Sequence, residues 1–164
     1  MEAQGVKNQL TSLDKLMMNP EQRLYLYQSD TCRGILKMGV KVLYLLTPAK
    51  VLKDFSPLSV LDFYVDQPAQ RRGFGLFLFE HMLRHESPGS RIDPGSLAYD
   101  RPSPKLVAFL ARHYGLTPPL EQANRFVIFD EFFSKAPSRV PDGAPRDPGS
   151  TAVCGAPAPG GEPG

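Results

Sequence analysis

The sequence predicts an α/β fold with a mixed central β-sheet flanked by helices, and three patterns carry this prediction. First, the run Leu58–Val65 is largely apolar at both its even and its odd positions, which is typical of a central strand. Second, a turn containing Gly73 and Gly75 follows it and leads into a helix over residues 76–85. Third, the candidate elements occur in the order β-β-β-β-α-β-α-β, which predicts helices packed on a sheet.

The strands before this run are predicted from their apolar and aromatic residues. Arg23–Gln28 alternates leucine and tyrosine and predicts a short strand. Residues 34–46 are rich in strand-forming residues, and Gly39 within them predicts the turn or bulge of a hairpin.

The elements after the glycine turn are a helix, a strand, a second helix and a last strand. The apolar face of the first helix is predicted to contain Leu76, Phe79, Met82 and Leu83. Residues 96–99 predict a strand that ends at Asp100, and residues 125–129 predict the last strand.

The second helix has a clear start and end. Ser103 is the expected N-cap, Pro104 the first helical residue and Gly115 the stop. One face is predicted to contain Leu106, Val107, Leu110 and Tyr114.

Composition predicts one folded domain and a tail. The chain has 164 residues, of which 41% are hydrophobic, enough for a single core. Residues 1–135 are expected to form the domain, and the proline- and glycine-rich residues 136–164 to be disordered. The net charge of +2 is too small to indicate nucleic-acid binding, and no apolar stretch resembles a signal peptide or a bilayer-spanning helix. Two distant cysteines, Cys32 and Cys154, indicate a reducing compartment.

The glycine turn predicts an anion-binding site. Gly73 and Gly75 let backbone amides approach a ligand, and the following helix directs its positive end to the same place. Arg71 and Arg72 add positive charge suited to phosphate. A tight strand-to-helix turn without a ligand would use the same glycines.

Gln70-Arg71-Arg72-Gly73-Phe74-Gly75 resembles the pyrophosphate loop of the GNAT acetyltransferases. The resemblance becomes closer when further motifs are included, and it then covers residues 18–133. These motifs are LDFY at 61–64, AYDRPS at 98–103, HY at 113–114 and NRFVIF at 124–129. In this order and spacing they resemble the catalytic domain of the α-tubulin N-acetyltransferase family.

That resemblance implies an acyltransferase that moves the acetyl group of acetyl-CoA, without a metal, to a lumen-facing lysine of α-tubulin in microtubules. It implies a monomer in the cytoplasm, on the microtubule cytoskeleton and in cilia, with no nucleic acid and no membrane insertion. Two segments are then expected to bind acetyl-CoA. The first comprises Phe63, Tyr64, Val65, Asp66, Gln67, Pro68, Ala69, Gln70, Arg71, Arg72, Gly73, Phe74, Gly75 and Leu76, and the second Ser103, Pro104, Lys105, Leu106, Val107, Ala108, Phe109, Leu110, Ala111 and Arg112.

Three residues are candidates for catalysis. The resemblance implies that Asp100 accepts the proton of the acceptor amine, whereas the sequence alone equally allows it to cap the helix near Ser103. Asp62 lies in an apolar strand, so it needs a cation or hydrogen bonds, and structural support is its expected role. Ser59 is expected to position water or substrate, or simply to bond a neighbouring carbonyl.

The chain departs from the family in several places. The family has a catalytic cysteine where this chain has Ser59, and its important glutamine aligns loosely with Met18. The family's first strand and most of its first helix lie upstream of this chain, and the loop around Asp30 is shorter. We therefore expect an N-terminally incomplete domain with an open sheet edge and reduced activity. A catalytically weakened acetyl-CoA-binding or microtubule-associated paralogue is the alternative, and an enzyme for another amine a third.

Other conspicuous residues have ordinary explanations. His81 and His85 have the spacing of a metal pair, but no third ligand is apparent and a solvated helix face is expected. Lys50, Lys53 and Lys105 either contribute to a surface for an acidic partner or are simply solvated. Four phenylalanines are expected in the core rather than in a stacking platform, namely Phe126, Phe129, Phe132 and Phe133.

Overall fold

The structure is a computed structural model that describes residues 13–29, 31–87 and 89–135. The expected disordered tail at 136–164 lies outside the described residues. The strands are β1 (Arg23–Gln28), β2 (Cys32–Val40), β3 (Leu43–Leu46), β4 (Leu52–Phe55), β5 (Leu58–Val65), β6 (Ala98–Asp100), β7 (Leu120–Glu121) and β8 (Phe126–Ile128). The helices are α1 (Leu13–Met17), α2 (Phe74–His85), α3 (Pro104–Tyr114) and α4 (Phe132–Lys135).

The main sheet is mixed, as predicted. Its six strands follow the order β1-β2-β5-β6-β8-β7, so β5 is a central strand with neighbours on both sides. The β5–β6 pair is parallel, and the other pairs are antiparallel. The parallel pair requires a crossover, which α2 supplies.

The predicted hairpin with its turn at Gly39 is wrong. Gly39 lies within β2, where it pairs with Ser59 of β5. A Cβ at Gly39 would lie 3.0 Å from Cγ of Gln22 and 3.2 Å from Cδ1 of Leu61, so the glycine permits close packing rather than a turn. The strand following β2, β3, pairs instead with β4 in a separate two-stranded sheet.

Strand β5 contains a β-bulge. Lys37 and Met38 of β2 are adjacent, but their partners in β5 are Asp62 and Val60, so Leu61 is an extra residue. Val60 belongs to the core cluster below α2, and Phe63, three residues later, packs against the same cluster. The bulge thus reverses the alternation of side chains between Val60 and Phe63.

Helix α2 begins at Phe74, two residues before the predicted start. Gly73 precedes it with a φ of +84°, in the left-handed region that favours glycine. A Cβ at Gly75 would lie 3.4 Å from Cγ2 of Val65, so the first turn of α2 packs closely on β5. Leu78, rather than the predicted Leu76, is buried together with Phe79, Met82 and Leu83.

Helix α3 follows the sequence prediction at both ends. Oγ of Ser103 accepts a hydrogen bond from the backbone N–H of Leu106 at 3.2 Å, and Pro104 lies in the first turn. Gly115, at a φ of +68°, ends the helix. Leu106 and Leu110 are buried, whereas Val107 and Tyr114 are half-buried.

The core lies on both faces of the main sheet. On one face α2 and α3 cover a cluster that includes Leu36, Phe79, Tyr99 and Phe129. On the other face the β3–β4 hairpin and α4 cover a smaller cluster around Ile128. Phe126, Phe129 and Phe132 are buried and Phe133 packs beside them, which confirms their expected place in the core.

A polar network ties α2 to α3. The Glu80 carboxylate accepts hydrogen bonds from the Arg91 guanidinium and, at 3.0 Å, from the Tyr114 hydroxyl. The bond from Arg91 is the main cause that lowers the pKa of Glu80, so this carboxylate stays ionised while it holds the two helices together. Within the three described ranges, no helix is both long and apolar enough to cross a bilayer.

Replacing the cap of α3 is expected to test the local energetics of this helix. Ser103→Ala leaves the Leu106 N–H without its side-chain acceptor and should lower the free energy of unfolding by about 1 kcal/mol. Ser103→Asp keeps a capping oxygen and should remain close to the parent protein. Urea unfolding measures both, and equal losses in the two variants would contradict the assignment of the cap.

Candidate functional site

The candidate site lies where strands β5 and β6 part. The two strands pair only through Ser59 with Ala98 and Val60 with Tyr99. Beyond that point β5 continues for five residues to Val65, whereas β6 ends at Asp100. Among the described residues, no other strand pairs with this edge of β5, so a gap opens at the carboxyl ends of two parallel strands. Such gaps are a common place for ligands in α/β proteins.

Phe63 brings the two predicted binding segments to this gap. Its ring centroid lies 5.8 Å from that of Phe79 in α2 and 5.6 Å from that of Phe109 in α3. The first segment runs along β5, through a loop, into α2, and the second forms most of α3. Both segments therefore border the same end of the sheet.

The loop between β5 and α2 is held by local hydrogen bonds. The amide nitrogen Nε2 of Gln70 donates to the carbonyl of Val65 at 2.9 Å. The Asp66 N–H donates to the carbonyl of Arg33, and Nη1 of Arg33 forms a 3.1 Å ion pair with the Asp66 carboxylate. Ala69 is buried in the 3₁₀ turn Gln67–Ala69. These contacts fix the path of the chain into α2.

The amino terminus of α2 has the properties expected of an anion site. No side chain caps it, so the first-turn amides keep their donors directed out of the helix. Arg71 has a φ of +60° and, like Arg72, is exposed, so the turn presents two guanidinium groups to solvent. The Arg72 guanidinium lies 5.4 Å from the centre of the Phe74 ring. Amides, helix dipole and arginine charge favour the same kind of ligand, a phosphate.

Asp100 lies at the end of β6, and it does not cap α3. The cap is Ser103, so the capping alternative for Asp100 is wrong. Its carboxylate instead accepts two hydrogen bonds from Arg101, at 2.8 Å from Nε and 3.2 Å from Nη2. The Asp100 side chain is 19% exposed and stands at the carboxyl end of β6, which borders the gap.

Asp62 forms an ion pair, as expected for a carboxylate in an apolar strand. Nζ of Lys37 in β2 lies 2.5 Å from Oδ2 of Asp62, and the two side chains are only 13% and 21% exposed. Asp62 also acts on Arg101, because its charge is among the causes that raise the arginine pKa, after the hydrogen bond and charge of Asp100. Two ion pairs thus lie near each other along the chain's sheet order, Lys37–Asp62 between β2 and β5 and Arg101–Asp100 at the end of β6.

Ser59 is fully buried. Its hydroxyl donates to the carbonyl of Pro57 at 3.2 Å, two residues earlier in the chain. It pairs with Gly39 on one side and Ala98 on the other, at the start of the parallel pairing. Its observed bond is the neighbouring-carbonyl contact that was one of the sequence expectations.

Neither Lys37 nor Arg101 was predicted as a site residue from the sequence. For Lys37 the available signal was a cation at a half-buried position between the apolar residues Leu36 and Met38, opposite Asp62, the one charged residue of β5. For Arg101 it was only adjacency to Asp100, and in an extended strand adjacent side chains point to opposite faces. His81 and His85 are exposed on α2, as expected, and no three potential metal ligands cluster in the described parts of the chain.

Comparison with known proteins gives consistent results. The family described as "GNAT acetyltransferase, Mec-17" matches residues 1–154. An α-tubulin N-acetyltransferase of Tetrahymena thermophila is 46% identical over 132 residues, which cover 80% of this chain and 32% of that protein. One from Phytophthora infestans is 45% identical over 138 residues, covering 80% of this chain and 75% of that protein. This chain thus spans about a third of the first relative and three quarters of the second.

Among solved structures, a mutant AtaT toxin bound to the carboxyl terminus of the antitoxin AtaR and to acetyl-CoA has a similar fold. Its TM-score is 0.51 at 18% identity, and the match covers 71% of this chain and 72% of that one. At this identity the likeness concerns the fold alone.

The Lys37–Asp62 ion pair is expected to behave as a coupled unit. Asp62→Asn leaves a largely buried ammonium without its carboxylate, and Lys37→Met leaves the carboxylate without its cation. Each should lower the free energy of unfolding by about 1–3 kcal/mol. The double variant should lose less than the sum of the two, which urea unfolding of the four proteins would measure. Additive losses would show that the two groups do not interact.

Proposed function

Because the chain belongs to the Mec-17 family of GNAT acetyltransferases, we propose that it transfers the acetyl group of acetyl-CoA to the side-chain amine of a lysine of α-tubulin. The observation that supports this most directly is the gap between β5 and β6. It has an uncapped helix terminus suited to phosphates on one side and the Asp100 carboxylate on the other.

Residues of this chain fit acetyl-CoA in the two predicted segments. The α2 amides after Gly73 and the side chains of Arg71 and Arg72 would hold the pyrophosphate. Gly75 lets α2 lie close to Val65 and Phe63, so the loop and the end of β5 border the same space. Bound there, acetyl-CoA supplies an activated thioester.

Asp100 would act as the base. A free lysine side chain has a pKa of about 10.4, so its ammonium must lose a proton before its nitrogen can attack. The Asp100 carboxylate, at the end of β6, would take that proton first. The neutral amine would then form the carbon–nitrogen bond as the carbon–sulfur bond breaks, and CoA would leave as its thiolate, which takes up the second proton that the nitrogen loses. Asp62 would neutralise Lys37 beside the reacting groups, and Ser59 would anchor the start of β5 through Pro57.

We extend the proposal to the setting of the reaction. The acceptor would be a lysine facing the lumen of a microtubule, and the protein would work as a monomer on cytoplasmic microtubules, including those of cilia. The names of the relatives support α-tubulin as the substrate. The modest charge of +2 supports a protein partner rather than nucleic acid.

One assay decides the proposed function. The purified chain is incubated with polymerised tubulin and labelled acetyl-CoA, and any modified lysine is located by mass spectrometry. Label on an α-tubulin lysine supports the proposal. Bound acetyl-CoA without transfer would identify a weakened paralogue, and label on another protein amine would identify a different acceptor. A parallel Ser59→Cys sample tests whether the family's thiol restores speed at this buried position.

Gly73→Asp is expected to weaken acetyl-CoA binding at least tenfold, because it puts negative charge and a side chain beside the α2 amides and strains a left-handed residue. Isothermal titration calorimetry measures the dissociation constant. Gly89→Asp is the matched control, since Gly89 is also left-handed, exposed and free of neighbours within 4 Å. Equal affinities in the two variants would remove the anion-site assignment.

Asp100→Asn keeps the shape of the side chain and removes its basicity. Loss of a positioned base typically lowers turnover by about a hundredfold to ten-thousandfold, so we expect a fall of this size with unchanged acetyl-CoA affinity. Asp130→Asn, an exposed aspartate after β8, serves as the control. Turnover in Asp100→Asn equal to that of the control would contradict the role of Asp100.

A further inference from the structure

Arg101 reaches Asp100 only because its backbone has an unusual conformation. Neighbouring side chains of a strand point to opposite faces, so adjacent residues do not normally form a two-pronged ion pair. Arg101 has a φ of +43°, in the left-handed region that side chains other than glycine rarely adopt. This turn lets the guanidinium fold back so that both oxygens of Asp100 accept from it.

A hydrogen bond to the residue just before β8 holds the strained backbone of Arg101. The Arg101 N–H donates to the carbonyl of Arg125 at 3.1 Å, just before β8. Arg125 is itself left-handed, with a φ of +66°, and its N–H donates to the carbonyl of Gln122 at 2.9 Å. Strain maintained by surrounding hydrogen bonds is a feature of functional sites.

The backbone of Arg101 is therefore held by its hydrogen bond to Arg125, whereas its side chain is largely exposed. The Arg101 side chain is 68% exposed. An exposed ion pair contributes little to stability because water competes for both partners. The carboxylate that Arg101 covers is much less exposed, at 19%. The exposed Arg101 side chain thus covers a carboxylate that is more buried than itself, and little stability would be lost if it moved away.

Asp62 is a second carboxylate on the face of the sheet that carries Asp100, and it already has a cation of its own. Lys37 neutralises Asp62, and Arg101 neutralises Asp100. If Arg101 moves away, one uncompensated negative charge is left, and that charge suits a primary ammonium.

We propose that Arg101 is an internal substitute for the acceptor ammonium: its guanidinium occupies the cation subsite at Asp100 and must leave that subsite before a lysine can enter. This inference rests on the proposed function, in which Asp100 takes the proton of the acceptor lysine. Arg101 is then a specificity-determining residue, because only an acceptor that competes for a carboxylate, namely a cationic amine, opens the site.

The kinetic test compares Arg101→Gln with the parent chain on polymerised tubulin. Removing the competing guanidinium should lower the KM for tubulin about two- to fivefold, the range expected from exposed ion pairs, without lowering kcat. The KM for acetyl-CoA should not change. Arg101→Lys, which keeps the charge without the two-pronged geometry, should give an intermediate KM. Arg84→Gln, which removes an arginine 69% exposed on α2, is the control.

Two kinetic outcomes would overturn the inference. A fall in kcat with unchanged KM would mean that Arg101 orients Asp100 for catalysis. A rise in the KM for tubulin would mean that Arg101 binds the acceptor directly.

A second measurement does not depend on turnover, so it remains decisive even if the chain does not acetylate tubulin. The Nε–H resonance of Arg101 is assigned in a ¹⁵N spectrum by its absence from Arg101→Gln, and Nα-acetyl-lysine amide is titrated in. The inference predicts a saturating shift of this resonance that equal concentrations of tetramethylammonium chloride do not produce. Identical responses to the two cations, or no response, would overturn the inference.

Discussion

The geometry of the site depends on the β-bulge at Leu61. Before the bulge Val60 points into the core below α2, and after it Phe63 and Val65 do the same, although Phe63 follows Val60 by three residues. In a regular strand an odd spacing would place Phe63 on the opposite face. Asp62 would then point into the helix-covered core, where an ionised carboxylate is costly. The bulge instead places Asp62 opposite Lys37 and on the face of Asp100.

Because of the bulge, the two faces of β5 make different kinds of contact, aromatic on one face and charged on the other. The face below α2 and α3 carries the aromatic contacts of Phe63, which hold both helices, and with them the two predicted binding segments, against β5. The other face, which also carries the smaller core cluster around Ile128, carries Asp100 and the Lys37–Asp62 ion pair. The parallel pairing of β5 and β6 ends at Val60, just before the bulge. The residues of β5 after the bulge therefore border the gap, whichever face of the sheet their side chains occupy.

The sequence was most informative where a local rule determines local structure. The caps of α3 followed from Ser103, Pro104 and Gly115, and β1 and β5 followed from their apolar residues, with the predicted bounds. It failed at Gly39 because a glycine needed for close packing looks the same as one needed for a turn. Strand β4 was missed because three of its four residues are exposed, and β7 because it has only two residues.

The candidate site was predictable only in part, for a related reason. The glycine loop and Asp100 stand in contiguous motifs, so their chemistry is visible in the sequence. The partners Lys37 and Arg101 depend on features without a sequence signal, namely the register of β2 against a bulged β5 and the left-handed backbone at position 101.

Burial separates Ser59 from these charged groups although it shares their face of the sheet. The hydroxyl is fully covered and already donates to Pro57, whereas Asp100 and Asp62 keep about a fifth of their side-chain surface open. A group that takes a proton from an entering substrate has to be reachable, and the fully buried Ser59 hydroxyl does not meet that condition in this conformation. In this conformation the Ser59 hydroxyl instead links the start of β5 to the residue before the strand, through its bond to the Pro57 carbonyl.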